Sequence, residues 1–276
     1  MSFFACPVCM QKLEREEKRY ICPQGHSFDI AKEGYVHLLP ANRMHTRLPG
    51  DGGEMLAARR RILDAGRYEL FSNCLNALVL ERLAEEKRPA VLDAGCGEGY
   101  YTGRLLSALH AEGIEAQAAG VDISKIAVRM AAKRYPGLEL AVGSIFHMPV
   151  SDEAADCLLS VFAPIVPKEF ARVVKPGGML LLAVAAPRHL YQLKQAVYDR
   201  PYENERKDTA YPGFVFQKRV PVRGETTLHS NGEIQDLFTM TPYHWKTSVR
   251  DREKLASLSA LTTEIGFDFL CYRREG

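Results

Sequence analysis

The sequence predicts an α/β protein with a doubly wound parallel sheet, preceded by a small cysteine-rich module. The run VLDAGCGEGYYTGRL, residues 91–105, has the order strand, glycine-rich loop, helix that opens a nucleotide-binding unit. Beyond it, strand-like and helical segments alternate as far as residue 199. Such alternation is typical of a parallel sheet with helices on both faces.

Composition is that of an ordinary globular protein and excludes several classes. The 276 residues are 46% hydrophobic and 25% charged, with a formal net charge of +2. No apolar run approaches the roughly 20 residues needed to cross a bilayer, and no signal-peptide pattern is visible. We therefore expect a cytoplasmic protein with no membrane partner. A nearly neutral chain neither requires nor excludes a nucleic acid.

Four candidate metal ligands lie close to the start of the chain. Cys6, Cys9, Cys22 and His26 have the spacing C-x2-C-x12-C-x3-H, and each pair forms a tight knuckle with Pro after its first Cys. Two knuckles offer four ligands at one point, the tetrahedral set that Zn²⁺ prefers. The alternative is a redox CxxC pair with two unrelated residues. We predict structural zinc, because a segment of about 40 residues buries too little core to fold without metal.

The predicted domain organisation has three parts. Residues 1–40 form the zinc-binding module, residues 41–88 a basic linker with two helices, and residues 89–276 the cofactor-binding domain. A helix is predicted from Glu54, with Asp51 and Glu54 as a capping box. The segment 42–67 holds six Arg and three acids. These arginines form either a solvated helix face or a strip that contacts nucleic-acid phosphates.

The glycine loop distinguishes between cofactor classes. Dinucleotide sites have G-x-G-x-x-G, and phosphate-binding loops need G-x-x-x-x-G-K-[ST]. Here the spacing is G-x-G-x-G, and an acid, Glu98, lies inside the loop. An acid disfavours phosphate but suits S-adenosylmethionine, which is cationic at its amino-acid end. Asp122, at the end of the second strand, can accept both ribose hydroxyls.

Together with the turn Lys175–Gly178 before the fifth strand, these features favour S-adenosylmethionine over the alternative, a nicotinamide cofactor. The cofactor residues predicted from this loop and from the strands before and after it are Asp93, Gly95, Gly97, Glu98, Gly99 and Asp122.

Several longer segments extend the pattern over nearly the whole chain. They are KEGYVHLLP (32–40), PGDGGEMLAARR (49–60), LDAGRY (63–68), VLDAGCGEGYYT (91–102), KRYP (133–136), ARVVKPGG (171–178) and APRHLYQLK (186–194). Residues 89–275 resemble the class I, Rossmann-like methyltransferases. With the two knuckles, the segments together resemble the bacterial 23S rRNA guanine-N1-methyltransferases.

The resemblance implies a fold, an activity and site residues. It implies a zinc-ribbon-like module with zinc on Cys6, Cys9, Cys22 and His26, and cofactor contacts at Tyr68, Gly97, Glu98 and His189. The implied reaction is methyl transfer from S-adenosylmethionine to N1 of a guanine in a hairpin loop of 23S rRNA, with no DNA partner. Two alternatives remain: a methyltransferase of small, quinone-like molecules, and an RNA-binding protein without catalysis.

Parts of the active site stay open at this stage. The catalytic base is not identified, and neither is the guanine that is methylated. Phe162, at the end of the fourth strand, is either a core residue or a stacking partner for the target base. The oligomeric state is also open, with a homodimer among the alternatives.

Overall fold

A computed structural model describes residues 2–40 and 50–276, and its centre is a mixed eight-stranded sheet. The strands in chain order are β1 (Glu14–Arg15), β2 (Arg19–Ile21), β3 (Ser27–Asp29), β4 (Tyr35–His37), β5 (Ala90–Ala94), β6 (Gln117–Asp122), β7 (Glu139–Val142), β8 (Ala155–Val161), β9 (Val174–Ala185), β10 (Phe214–Leu228) and β11 (Leu261–Arg274).

The helices pack around this sheet. They are α1 (Gly53–Asp64), α2 (Glu69–Leu83), α3 (Tyr100–Ala111), α4 (Lys125–Arg134), α5 (Pro167–Val173), α6 (Tyr191–Val197), α7 (Asn231–Thr239), α8 (Tyr243–Lys246) and α9 (Val249–Glu253), followed by a 3-10 turn at Lys254–Ser257. Two hydrophobic clusters form the core around the sheet. No helix in the described ranges is long and apolar enough to span a bilayer.

The strand order of the main sheet confirms the doubly wound prediction. It runs β10-β11-β9-β8-β5-β6-β7-β4, parallel from β4 to β9, with β11 antiparallel to both of its neighbours. The winding reverses at β5, which lies between β6 and β8. Open sheets of this kind bind ligands at the carboxyl ends of the strands beside such a reversal. The loop after β5 therefore occupies the expected binding position.

The amino-terminal module is joined to the main sheet by main-chain pairing. Its own sheet, β1-β2-β3, places Tyr20 opposite Phe28. Strand β4, which the sequence did not predict, pairs in parallel with β7 at the edge of the main sheet. A bridge between Phe4 and Val150 adds a second connection. The boundary at residue 40 remains a prediction.

Two local predictions are wrong. The residue before α1 is Gly52, and no side chain caps the helix, so Asp51 and Glu54 form no capping box. The Asp51 carboxylate instead forms a salt bridge with the guanidinium of Arg59. The sequence pattern also predicts two helical pieces within residues 224–262, but residues 224–228 continue strand β10, because β11 pairs with it as far as Leu261. Two of the six arginines of the basic segment, Arg43 and Arg47, lie outside the described residues.

Candidate cofactor and zinc sites

The glycine loop is folded tightly against the ends of three strands. Gly95 donates its N–H to the Val121 carbonyl at 2.8 Å, which attaches the loop to β6. Gly95, Gly97 and Gly99 all have positive φ values, of 89°, 53° and 77°. A Cβ on Gly95 would lie 2.6 Å from the Ala163 side chain, just beyond β8. Glycine is therefore required here by both conformation and space.

Asp93 is a buried carboxylate with an unused oxygen. Its side chain is 2% exposed, and the Thr102 hydroxyl donates to Oδ2. Among the described residues, Oδ1 has no hydrogen-bond partner. Burial raises the pKa of Asp93 to about 7, with the Thr102 hydrogen bond opposing the shift and the Asp122 charge adding to it. A cationic ligand group would favour the ionised form of this carboxyl.

Glu98 is the second carboxylate of this kind. It is 3% exposed, and neither oxygen accepts a hydrogen bond from any described residue. Arg60 Nε lies 3.9 Å from Oε2. Burial raises the pKa of Glu98, and the charge of Arg60 opposes that shift. Buried carboxylate oxygens without donors are rare and unfavourable. With the glycine cradle, these carboxylate acceptors fit the cationic amino-acid end of S-adenosylmethionine.

Asp122 lies at the carboxyl end of β6 and fixes the loop. One oxygen accepts the Gly97 N–H at 2.9 Å, and the other accepts the Ser124 N–H at 2.7 Å. Burial raises the pKa of Asp122, and these two N–H groups lower it. A carboxylate oxygen has two lone pairs, so each can still accept a hydroxyl hydrogen. The predicted ribose contact is compatible with this geometry.

Tyr68 and His189 come together through Phe267. Tyr68, just before α2, is 2% exposed, and its ring centroid is 5.4 Å from Phe267 and 6.2 Å from His189. His189 Nδ1 accepts the Gly266 N–H at 3.4 Å. Burial, aided by the charge of Lys194, lowers the pKa of His189 to about 3. The imidazole is therefore neutral at pH 7, and its Nε2 carries the proton.

Phe162 extends an aromatic cluster to the protein surface near the glycine loop. Its ring stacks on Phe71 at 5.5 Å and tilts against Phe267 at 5.0 Å, yet it remains 47% exposed. Its φ of 56° is rare for a bulky residue and indicates local backbone strain. The next residue, Ala163, packs against Gly95 of the glycine loop. Phe162 thus presents one ring face beside the predicted cofactor site.

The four described arginines of the basic segment are all engaged within the chain. Arg61 pairs with Asp236, and Arg67 pairs with Glu233, both on α7. Arg59 and Arg60 face the glycine loop, where they pair with Asp51 and approach Glu98. They do not form the free, outward strip that the phosphate-contact alternative requires. The run of three consecutive arginines does not indicate which of them face the glycine loop, and the structure shows that Arg59 and Arg60 do.

The four metal ligands converge as the sequence predicts. The ligand atoms of Cys6, Cys9, Cys22 and His26 all lie within 4.8 Å of one another. Cys9 and Cys22 Sγ are 3.7 Å apart, close to the edge of about 3.8 Å for a tetrahedron with Zn–S distances of about 2.3 Å. Burial raises the pKa of the Cys22 thiol, but hydrogen bonds from His26, Gln24 and Cys9 outweigh it and lower the value to about 6. This set fits zinc.

Comparison with known families agrees with this geometry. A zinc-ribbon family model described as "RlmA, N-terminal" matches residues 4–47. A model described as "Methyltransferase domain" matches residues 91–178, which include the glycine loop and Asp122. The strand order, the loop and this match define a class I, Rossmann-like methyltransferase with an amino-terminal zinc-ribbon module. S-adenosylmethionine is its cofactor, and its zinc is structural.

Curated relatives define the family more narrowly. The "23S rRNA (guanine(748)-N(1))-methyltransferase" of Streptomyces fradiae is 36% identical, over 71% of this chain and 68% of its own. Two proteins named "Putative 23S rRNA (guanine-N(1)-)-methyltransferase", from Micromonospora griseorubida and Bacillus subtilis (strain 168, YxjB), are 32% and 30% identical over 94% and 92% of this chain and 92% and 90% of theirs. The chain belongs to the 23S rRNA (guanine-N1)-methyltransferase family.

The zinc cluster predicts a metal-dependent fold. We expect one zinc per chain in the natural protein and none in Cys22→Ser, because serine supplies no thiolate ligand. The variant should melt lower by roughly 5 °C or more, since losing a structural metal removes several kcal/mol of folding free energy. Metal analysis and calorimetry measure both, with Cys74→Ser as the control outside the cluster. A Cys22→Ser protein that retains its zinc would contradict this assignment.

His189 predicts a specific loss of stability in acid. The unfolded chain protonates this residue below pH 6.5, whereas the folded chain resists protonation down to about pH 3. Its contribution is therefore complete above pH 6.5 and is lost as the pH falls. Between pH 7 and 5, the natural protein should lose about 2 kcal/mol more unfolding free energy than His189→Asn.

Urea unfolding with zinc present at both pH values measures this difference. His229→Asn, at an exposed histidine, is the control and should follow the natural protein. An identical pH dependence of the natural protein and His189→Asn would show that His189 is not held neutral by burial.

Proposed function

We propose that this chain transfers a methyl group from S-adenosylmethionine to N1 of a guanine in a hairpin loop of 23S rRNA, in the cytoplasm. The observation that carries the proposal is the extent of the family likeness. It covers more than nine tenths of this chain in two relatives and includes both the zinc module and the glycine loop. Likeness limited to the catalytic sheet would leave the acceptor undefined.

The three predicted parts take separate roles in this proposal. Residues 1–40 hold zinc and help to grip the RNA, residues 41–88 connect the module to the cleft, and residues 89–276 carry the cofactor and the reaction. Zinc on Cys6, Cys9, Cys22 and His26 is structural, because four protein ligands leave no open position for catalysis.

The cofactor supplies an electrophilic methyl group on a sulfonium, which is an intrinsically good leaving group. The chain's task is then to hold both reactants in line. We assign the loop Gly95–Gly99, with Asp93 and Glu98, to the amino-acid end of the cofactor. Asp122 accepts the ribose hydroxyls, and the pair Tyr68 and His189 completes the cleft.

The guanine that receives the methyl group needs a flat, water-poor surface on which to stack. Guanine must leave its stack to be methylated at N1, and an RNA loop offers the lowest unstacking cost. We assign the exposed face of Phe162 to the flipped guanine, because it lies between the glycine loop and the aromatic cluster. His189 is neutral at pH 7, so its Nε2–H can donate a hydrogen bond without adding a charge to the cleft.

Methyl transfer to unmodified RNA tests the function directly. The protein is incubated with methyl-labelled cofactor and 23S rRNA from a strain that lacks guanine-N1 methylation. We expect about one labelled methyl per molecule, located in a hairpin loop and detected as a reverse-transcription stop, since a methyl on N1 blocks base pairing. A DNA hairpin of the same sequence is the control and should stay unlabelled.

The two alternatives give different outcomes in the same experiment. A small-molecule methyltransferase would label a quinone-like acceptor and leave the RNA unlabelled. A non-catalytic RNA-binding protein would retain the RNA without transferring label. Either result would reject the proposed function.

Phe162 predicts a defect confined to the RNA step. Phe162→Ala should lower kcat/KM for RNA roughly 5- to 150-fold, the range expected when a base loses one aromatic stacking partner. Affinity for S-adenosylmethionine should change little, and Phe162→Tyr should retain most of the activity. Phe216→Ala removes a partly exposed ring on β10 and serves as the control. An active Phe162→Ala enzyme would assign this ring to the core alone.

A further inference from the structure

Arg59 belongs to the basic segment 42–67, but its side chain lies at the glycine loop. Its guanidinium Nη1 is 3.8 Å from the position that a Cβ on Gly97 would occupy, so it lies directly above the glycine loop. Its Nη2 is 2.6 Å from Asp51 Oδ2. The side chain is 25% exposed, so most of it is covered by the chain. This position is unlike that of Arg61 on the same helix, whose side chain is 60% exposed.

The charge of Arg59 acts on three residues that are predicted to bind the cofactor. Burial raises the pKa of Asp122, Glu98 and Tyr68, and the positive charge of Arg59 acts in the opposite direction on all three. These residues come from β6, the glycine loop and the start of α2. Arg59 is therefore close enough to all three residues to favour their ionised forms, in agreement with its position above Gly97.

The carboxylates near the glycine loop are negatively charged and would repel the carboxylate of the cofactor. Asp93, Glu98 and Asp122 suit its ammonium, sulfonium and hydroxyl groups. The amino-acid end also bears a carboxylate, which these acids would repel and which needs a charge-assisted donor when buried. Arg60 is directed to Glu98 and Asp64. Arg134 also acts on Glu98, but its guanidinium pairs with Asp64. Arg59 lies above Gly97 of the loop itself and is therefore our candidate for this carboxylate.

Asp51 orients the guanidinium for this task. It holds Nη2, whereas Nη1, on the side of Gly97, donates to no described residue. The Asp51 carbonyl accepts the Ser124 hydroxyl at 3.0 Å, and the Ser124 N–H binds Asp122. The pair Asp51–Arg59 is therefore attached to the same strand end that is predicted to bind the ribose.

We propose that Arg59 binds the carboxylate of S-adenosylmethionine through Nη1, which lies on the side of Gly97, while Asp51 holds the guanidinium plane as a positioning residue. The proposal rests on the part of the proposed function that concerns S-adenosylmethionine as methyl donor, but not on the RNA substrate. It replaces the expected RNA-phosphate contact of Arg59 by a contact within the cofactor site.

Two ligands that differ only in this carboxylate test the proposal by calorimetric titration. They are S-adenosylmethionine and its decarboxylated form, which keeps the sulfonium and the amine. Arg59→Met should weaken binding of S-adenosylmethionine roughly 10- to 100-fold, the range for a lost hydrogen bond between charged groups. Binding of the decarboxylated ligand should change less than about threefold. Arg61→Met is the matched control on α1 and should bind both ligands as the natural protein does.

The possible outcomes separate this proposal from the broader one. Equal weakening of both ligands by Arg59→Met would show that Arg59 only shapes the cleft, and unchanged binding of both would place it outside the site. Either result overturns the proposal. Failure of the natural protein to bind S-adenosylmethionine would instead reject the proposed function. If Arg59→Met folds poorly by circular dichroism, Arg59→Lys provides the second variant, which should lose affinity only for the carboxylate-bearing ligand.

Discussion

The carboxylate of Asp122 is the interaction on which the cleft depends. It accepts one N–H from the glycine loop and another from Ser124, and so joins β6 to the loop after β5. Ser124 in turn caps α4 and holds the Asp51 carbonyl. Three separate parts of the chain are thus connected through Asp122 and Ser124. Charge-assisted hydrogen bonds of this kind are stronger than neutral ones, so the loop is held in place before any ligand arrives.

The cleft combines rigid backbone with poorly compensated charge. Asp93 and Glu98 are buried, yet three of their four oxygens lack donors among the described residues. Such burial lowers the stability of the fold. The same groups attract a cation once water is displaced, because electrostatic interactions strengthen in a low-dielectric site. These carboxylates therefore lower the stability of the fold but strengthen the binding of a cationic ligand, as is common at functional sites.

The sequence predicted the features that depend on local chemistry. The glycine loop, the two knuckles and the alternation of strands and helices each follow from residue type and spacing, and the structure has them where expected. Strand β4 was missed, because three residues carry no readable period and their pairing partner lies about a hundred residues away. The direction of Arg59 was missed for a related reason: it depends on how α1 packs, and a run of three arginines gives no such information.

The pairing of β4 with β7 has a consequence for the order of folding. Residues 35–37 find their partners only at residues 140–142. During synthesis from the amino terminus, the zinc ligands are complete long before that partner exists. The small sheet β1-β2-β3 and the four zinc ligands need no residue beyond 29, whereas β4 needs residues 140–142. Zinc bound at that stage would stabilise the first part of the chain before the main sheet is complete.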